Sequence, residues 1–299
     1  MLHNFRFQLG AGRRRFVAFM SIAAISEPDQ RGQVRERALE ALRGGRLGEA
    51  ARLAQQALLA DPGDGVAAQA LGHALVREGR GREAVEALRA PAARSQDPAL
   101  ETLFARALAM AGRRDEAIEQ LRRTTERRPV FVLAFLELAQ LLAEAGRNAE
   151  AEDVYAEGLA LAPEAAVLRL GLGHLCLALN QRGRARELFA EVARAAPHRV
   201  DAKLALARVM ELDGDYGAAV ALYRGALELR GDDPAAQIAL GKCLVELGER
   251  EAGEAMLKQA ARHSAGAAWQ AIVGMSATAR GRLFLRPSEA LGFLAAGAA

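Results

Sequence analysis

The residues able to do chemistry are few and scattered. The chain has five histidines and two cysteines. Metal binding and acid–base catalysis need such groups held together, for instance as His-Glu-x-x-His on one helical turn, and no such spacing occurs. No glycine-rich phosphate loop with its lysine and no nucleophile elbow is present. Gly171-Leu172-Gly173 imitates part of a dinucleotide-binding turn, yet no strand-like run precedes it. Cys176 and Cys243 each sit inside an apolar run, where free cysteine behaves as a small hydrophobe. The chain therefore reads as a non-enzyme with no catalytic residue, no metal site and no cofactor.

Composition shows what such residues would be positioned by. Hydrophobic residues make up 51% of the chain but aromatics only 5%. Small and medium aliphatic side chains with many arginines and glutamates suit helices packed closely on helices. The formal charge of +3 is uneven along the chain. Residues 1–26 carry Arg6, Arg13, Arg14 and Arg15 and no acid, while 268–299 carry three arginines against Glu289. The stretch between has more acidic than basic residues, which argues against nucleic acid as a partner. No run of eighteen apolar residues predicts an integral membrane segment.

A period then organises the chain. Short breaks recur at Gly45, Gly79, Gly112, Gly146, Gly214 and Gly248, with gaps of 34, 33, 34, 68 and 34 residues. The long gap is two periods, and its midpoint is Asn180, the residue after glycine that best tolerates a left-handed helix end. One column of small residues runs Ala38, Gly72, Ala105, Ala139, Gly173, Ala207, Gly241. A second runs Ala50, Ala84, Ala117, Ala151, Ala185, Ala219, Gly253. Small residues let two helices approach to about 8 Å, so these columns are expected to face each other across helical hairpins. Large residues fill a complementary column at Leu88, Leu121, Tyr155, Phe189, Tyr223 and Leu257. Pro62, Pro129, Pro163 and Pro197 stand where second helices should end.

This pattern resembles the tetratricopeptide repeat family. The resemblance implies an all-α superhelical solenoid of about seven antiparallel helix–turn–helix repeats plus a C-terminal capping helix. The repeats are expected at 31–64, 65–97, 98–131, 132–165, 166–199, 200–233 and 234–267, between a non-repeat segment 1–30 and a tail 268–299. Three departures matter. The family's early first-helix aromatic appears only as Phe135; the same column otherwise holds Val34, Ala68, Glu101, Arg169, Lys203 and Gln237. Pro91 falls inside the second helix of the second repeat, which is expected to be short or broken. The seventh repeat runs through Ser264 into a helix with Trp269, the candidate cap, whose outer face should be wetter.

The ends admit alternatives. Arg13-Arg14-Arg15 followed by the apolar run 16–25 has the layout of an export signal. A plain tail on a cytoplasmic protein is the other reading. Segment 283–291 reads as a strand-like piece and a short helix capped by Ser288, either folded over the stack or docking through Phe284 and Phe293.

In the resembled family, first helices line a concave groove that binds peptides. Here one column of those helices reads Leu39, His73, Arg106, Gln140, His174, Arg208, Lys242, mostly polar and with five residues able to carry positive charge. Leu136 and Leu170 lie one turn earlier and are expected to add apolar anchors. The expected groove is thus Arg106, Leu136, Gln140, Leu170, His174, Arg208 and Lys242, favouring an acidic protein or peptide segment. Glu144, Asp201, Glu211 and Glu246 intersperse acids along it. A scaffold or adaptor is the function this implies, with an exported assembly factor or the regulatory subunit of a separate enzyme as alternatives.

Overall fold

The computed structural model describes residues 28–278, 281 and 287–295, which form sixteen helices. They fall into two units that divide after Ala162. The export-signal reading of the N-terminal segment, and Phe284, lie outside the described residues.

The first unit holds α1 (Pro28–Arg43), α2 (Leu47–Ala60), α3 (Gly65–Arg77), α4 (Gly81–Arg94), α5 (Pro98–Met110), α6 (Arg114–Thr125), α7 (Val132–Glu144) and α8 (Asn148–Leu161). The second holds α9 (Ala166–Ala178), α10 (Arg182–Ala195), α11 (Val200–Leu212), α12 (Tyr216–Leu229), α13 (Pro234–Leu247), α14 (Arg250–Ala261), α15 (Ala265–Ala277) and α16 (Pro287–Ala295). Within each unit consecutive helices pack as antiparallel hairpins, and successive first helices also touch, as α3 with α5 and α5 with α7.

Every hairpin break closes with a left-handed residue, and the period placed them all. Gly45, Gly79, Gly112, Gly146, Gly214 and Gly248 have φ between 72° and 89°, and Asn180 has φ 58°. The two small columns meet at Gly241 and Gly253. A Cβ built on Gly253 would lie 2.7 Å from the Gly241 carbonyl oxygen, so here the two helices touch backbone to backbone. A Cβ on Gly72 would lie 2.9 Å from Leu88, showing the large residue of the second helix seated over the small residue of the first. Leu88, Leu121, Tyr155, Phe189, Tyr223 and Leu257 are at most 3% exposed.

The first unit adds an edge pattern that a reading of apolar periodicity does not reveal. The arginine after each break bonds a glutamate three residues on: Arg46 to Glu49 at 2.8 Å, Arg80 to Glu83 at 2.8 Å, Arg113 to Glu116 at 2.6 Å, Arg147 to Glu150 at 2.7 Å. Each arginine is the helix N-cap residue without a side-chain cap, so the bonded glutamate also places negative charge by the free N–H groups of the first turn. In the second unit Gln181, Asp215 and Glu249 take that cap position, and Asp215 caps Ala218 directly.

Some expectations do not hold. Helix α4 is neither short nor broken: it runs fourteen residues through Pro91 to Arg94. Proline there sits in the last turn, so its missing N–H leaves a single carbonyl without its helical donor. Leu88 and Ala92, both buried, keep that turn packed, and Ser95 N donates to the Pro91 carbonyl at 2.9 Å. Ser264 does cap α15, accepting from Ala267 N at 3.1 Å. Its outer face is mixed rather than wet, with Trp269 58% and Val273 49% exposed beside exposed Gln270 and Ser276. Helix α16 folds back on α14 and α15, burying Ala290 and Leu294. Phe293 is consequently half-buried, with the Lys258 ammonium 4.1 Å from its ring centroid, and offers no free docking side chain. Ser288 lies inside the first turn that Pro287 begins, not at the cap.

Candidate functional site

The first helices carry the residues expected to meet a partner, and each unit presents its own set. In the first unit, His73 on α3, Arg106 on α5 and Gln140 on α7 are all exposed. Burial of its ring, then Arg106 and Arg77, hold the His73 imidazole below its ordinary range, so it is neutral at pH 7. Arg106 Nε lies 3.3 Å from Glu137 Oε1. Burial pushes the Glu137 carboxyl upward, opposed by Arg106 and aided by Glu144. Between α5 and α7 opens a small recess of about 130 Å³, lined by Arg106, Glu137, Gln140 and Glu144 together with Ala105, Ala109, Leu121 and Leu141. Leu136 is half-buried one turn before Gln140.

The second unit is built differently. His174 on α9 stands 5.0 Å from the Phe189 ring, and burial lowers its pKa although Asp201 pulls the other way. Gly173 beside it meets the same ring: a Cβ there would lie 2.9 Å from Phe189 Cδ1, so the Gly-Leu-Gly run is packing. Leu170 is only 6% exposed and belongs to the core, not to a binding surface. Period alone placed it one turn from a groove residue, but that turn is covered. Arg208 on α11 and Lys242 on α13 converge on one carboxylate, Glu211, at 3.0 and 2.8 Å. Tyr223 OH donates to its other oxygen at 3.0 Å. Burial pushes the Glu211 carboxyl up, but Lys242 and Arg208 outweigh this and hold it below 4.5.

The expected cationic column therefore keeps one net positive charge, where Arg208 and Lys242 face a single carboxylate. Its two histidines are neutral, Arg106 is paired, and Arg208 with Lys242 share an acid. Glu137 could have been found from sequence, since it precedes Gln140 by three residues and shares its helix face. What sequence could not reveal is which acid meets which base across helices.

Glu211 makes a testable pH dependence. Its folded pKa is depressed, so its stabilisation is fully present above about pH 4.5, the ordinary glutamate value, and is lost as pH falls through the folded value. We expect acid titration to lower the melting temperature of the wild type more steeply below that pH than that of Glu211→Gln. Parallel curves would contradict this.

Among the described residues no group of three metal-ligating side chains occurs, and no helix is long and apolar enough to cross a membrane. Cys243 is buried, and that desolvation, helped by the Glu211 charge, pushes its thiol up to about 12. It is unreactive at neutral pH.

Comparison with known proteins agrees with this architecture. Family models described as tetratricopeptide repeat match residues 41–107, 142–209 and 212–275, and a second such model matches 102–166. A tetratricopeptide repeat protein of Parabacteroides merdae shares the fold at TM-score 0.59 and 15% identity, over 82% of this chain and 98% of that one. A thermophilic TPR protein of Thermus thermophilus matches at TM-score 0.52 and 20% identity, over 60% and 98%. No curated protein matches the chain. With repeat models covering well over half its length on a frame of stacked hairpins, the chain belongs to the tetratricopeptide repeat family and is in general terms a protein-interaction scaffold.

Proposed function

We propose that this protein is a non-catalytic adaptor that holds a segment of a partner protein against the exposed faces of its first helices. The observation that carries the reading is the recess between α5 and α7, where polar groups converge over an aliphatic floor. Such an arrangement supplies apolar contact with a few orienting hydrogen bonds, the usual composition of a peptide site. The partner is a protein rather than nucleic acid, since Arg106 and Arg208 of these faces are spent on carboxylates. A cytoplasmic location is proposed with it; N-terminal sequencing of the mature chain distinguishes this from export.

The test must avoid residues that hold the fold. Arg208 and Lys242 anchor Glu211, so reversing them would disturb the unit itself. Leu133, 47% exposed, and Gln140 make no such bonds. Against the isolated partner, Leu133→Asp with Gln140→Arg is expected to weaken binding at least about tenfold, as loss of one anchor does. Arg89→Glu on the second helix α4 should leave it unchanged. The reverse result would move the working face to the second helices.

A further inference from the structure

We propose that the recess between α5 and α7 takes a lysine or arginine side chain of the bound segment. The inference rests on the reading above that first-helix faces hold the partner, and it reverses the acidic preference that the bare column of basic residues suggests. Glu137, Gln140 and Glu144 lie at i, i+3 and i+7, so α7 presents all three on one side. Opposite them α5 supplies one cation, Arg106, which pairs with Glu137 at 3.3 Å. Glu144 forms no ion pair among the described residues, is exposed, and acts electrostatically on Glu137. The recess is therefore left with one uncompensated negative charge.

Its floor decides the rest. Ala105 and Leu121 close the recess from below and are buried, so Ala109 and the edge of Leu141 are what the last methylenes of a long basic side chain can touch while its head stays at the rim. A cation placed between Glu137 and Glu144 offsets the desolvation cost of the Glu137 charge and its repulsion by Glu144. An acidic side chain at the same place would meet two carboxylates.

The experiment is an NMR titration of the full chain with the peptide acetyl-Ala-Ala-Lys-Ala-Ala-amide and its norleucine and glutamate counterparts. The lysine peptide should shift the Gln140 side-chain amide and the backbone amides of Ala105 and Ala109. The other two should bind there at least about tenfold more weakly, a difference well within the reach of one charge pair in a recess. Glu137→Gln with Glu144→Gln should erase the preference while the circular-dichroism melt is unchanged; if that variant unfolds, the three wild-type titrations decide alone. Norleucine or glutamate binding as well as lysine, or no peptide perturbing these three residues, overturns the inference. Shifts confined to other first helices overturn it too but leave the adaptor reading standing, whereas shifts confined to second helices sink both.

Discussion

Gly253→Ala is expected to destabilise the second unit, and Gly225→Ala to stabilise it, although both place the same methyl group on a helix. Alanine favours a helix over glycine by about 0.8–1.0 kcal/mol, and at Gly225 on α12 nothing opposes that gain. The nearest atom to a Cβ there is Lys203 Nζ at 3.8 Å, an ordinary contact. At Gly253 on α14 the methyl would stand 2.7 Å from the Gly241 carbonyl oxygen and 3.0 Å from Val245 N. Those are backbone atoms of α13 and cannot rotate away as a side chain could. The helices must part, and such overpacking costs about 1–3 kcal/mol, more than the propensity gain. Because hairpins in a stack stabilise their neighbours, the loss should reach α13 and α15 as well. Thermal melts of the two variants check this, the expected changes having opposite signs. Two stabilised variants would mean that the glycine contact between α13 and α14 does not exist.

Removing the guanidinium of Arg127 is the second large effect. Glu101 on α5 is 3% exposed and occupies the column where the family places an aromatic. Its carboxylate is held by Arg127 Nη2 at 2.7 Å and lies 3.1 Å from the Thr124 hydroxyl. In Arg127→Met a buried carboxylate loses its countercharge, at a cost of about 1–3 kcal/mol, because Arg127 is 43% exposed and the pair is already partly screened. Arg123→Met, which breaks a fully exposed pair with Glu119, should change stability by at most about 0.5 kcal/mol. Adding Glu101→Leu to Arg127→Met should restore most of the loss, since an apolar side chain then fills an apolar place. Thr124 would keep its bond to the Gln120 carbonyl at 2.9 Å. Equal melting of the two arginine variants would show that Glu101 is not an internal charge.

These residues also mark how far the sequence reaches. The repeat, its turns and its hairpin packing were legible because backbone geometry admits few residues there. A left-handed helix end selects glycine or asparagine, which is why Asn180 could be matched to six glycines across a doubled gap. A close helix contact selects small side chains, which is why Gly241 and Gly253 could be paired before their contact was seen.

The candidate site was legible only as a face. Arg106, Gln140, Arg208 and Lys242 do lie on first helices, but their electrostatic character was not in their own column. It came from Glu137, set against Arg106 by the spacing of neighbouring helices, and from Glu211, which follows Arg208 by three residues on its own helix and meets Lys242 from the next. Leu170 lies in the core rather than in a groove, because periodicity gives direction without saying what covers it; of the two readings of the C-terminal segment, α16 takes the one that folds back. Glu101 and Arg127 are twenty-six residues apart and signal no pairing in one dimension. Sequence by itself determined the repeat, because turns and close packing are local constraints on residue type. Only the tertiary structure decided which of the remaining charges survive at the surface, because pairs such as Arg106–Glu137 and Lys242–Glu211 depend on distances between helices that no single helix encodes.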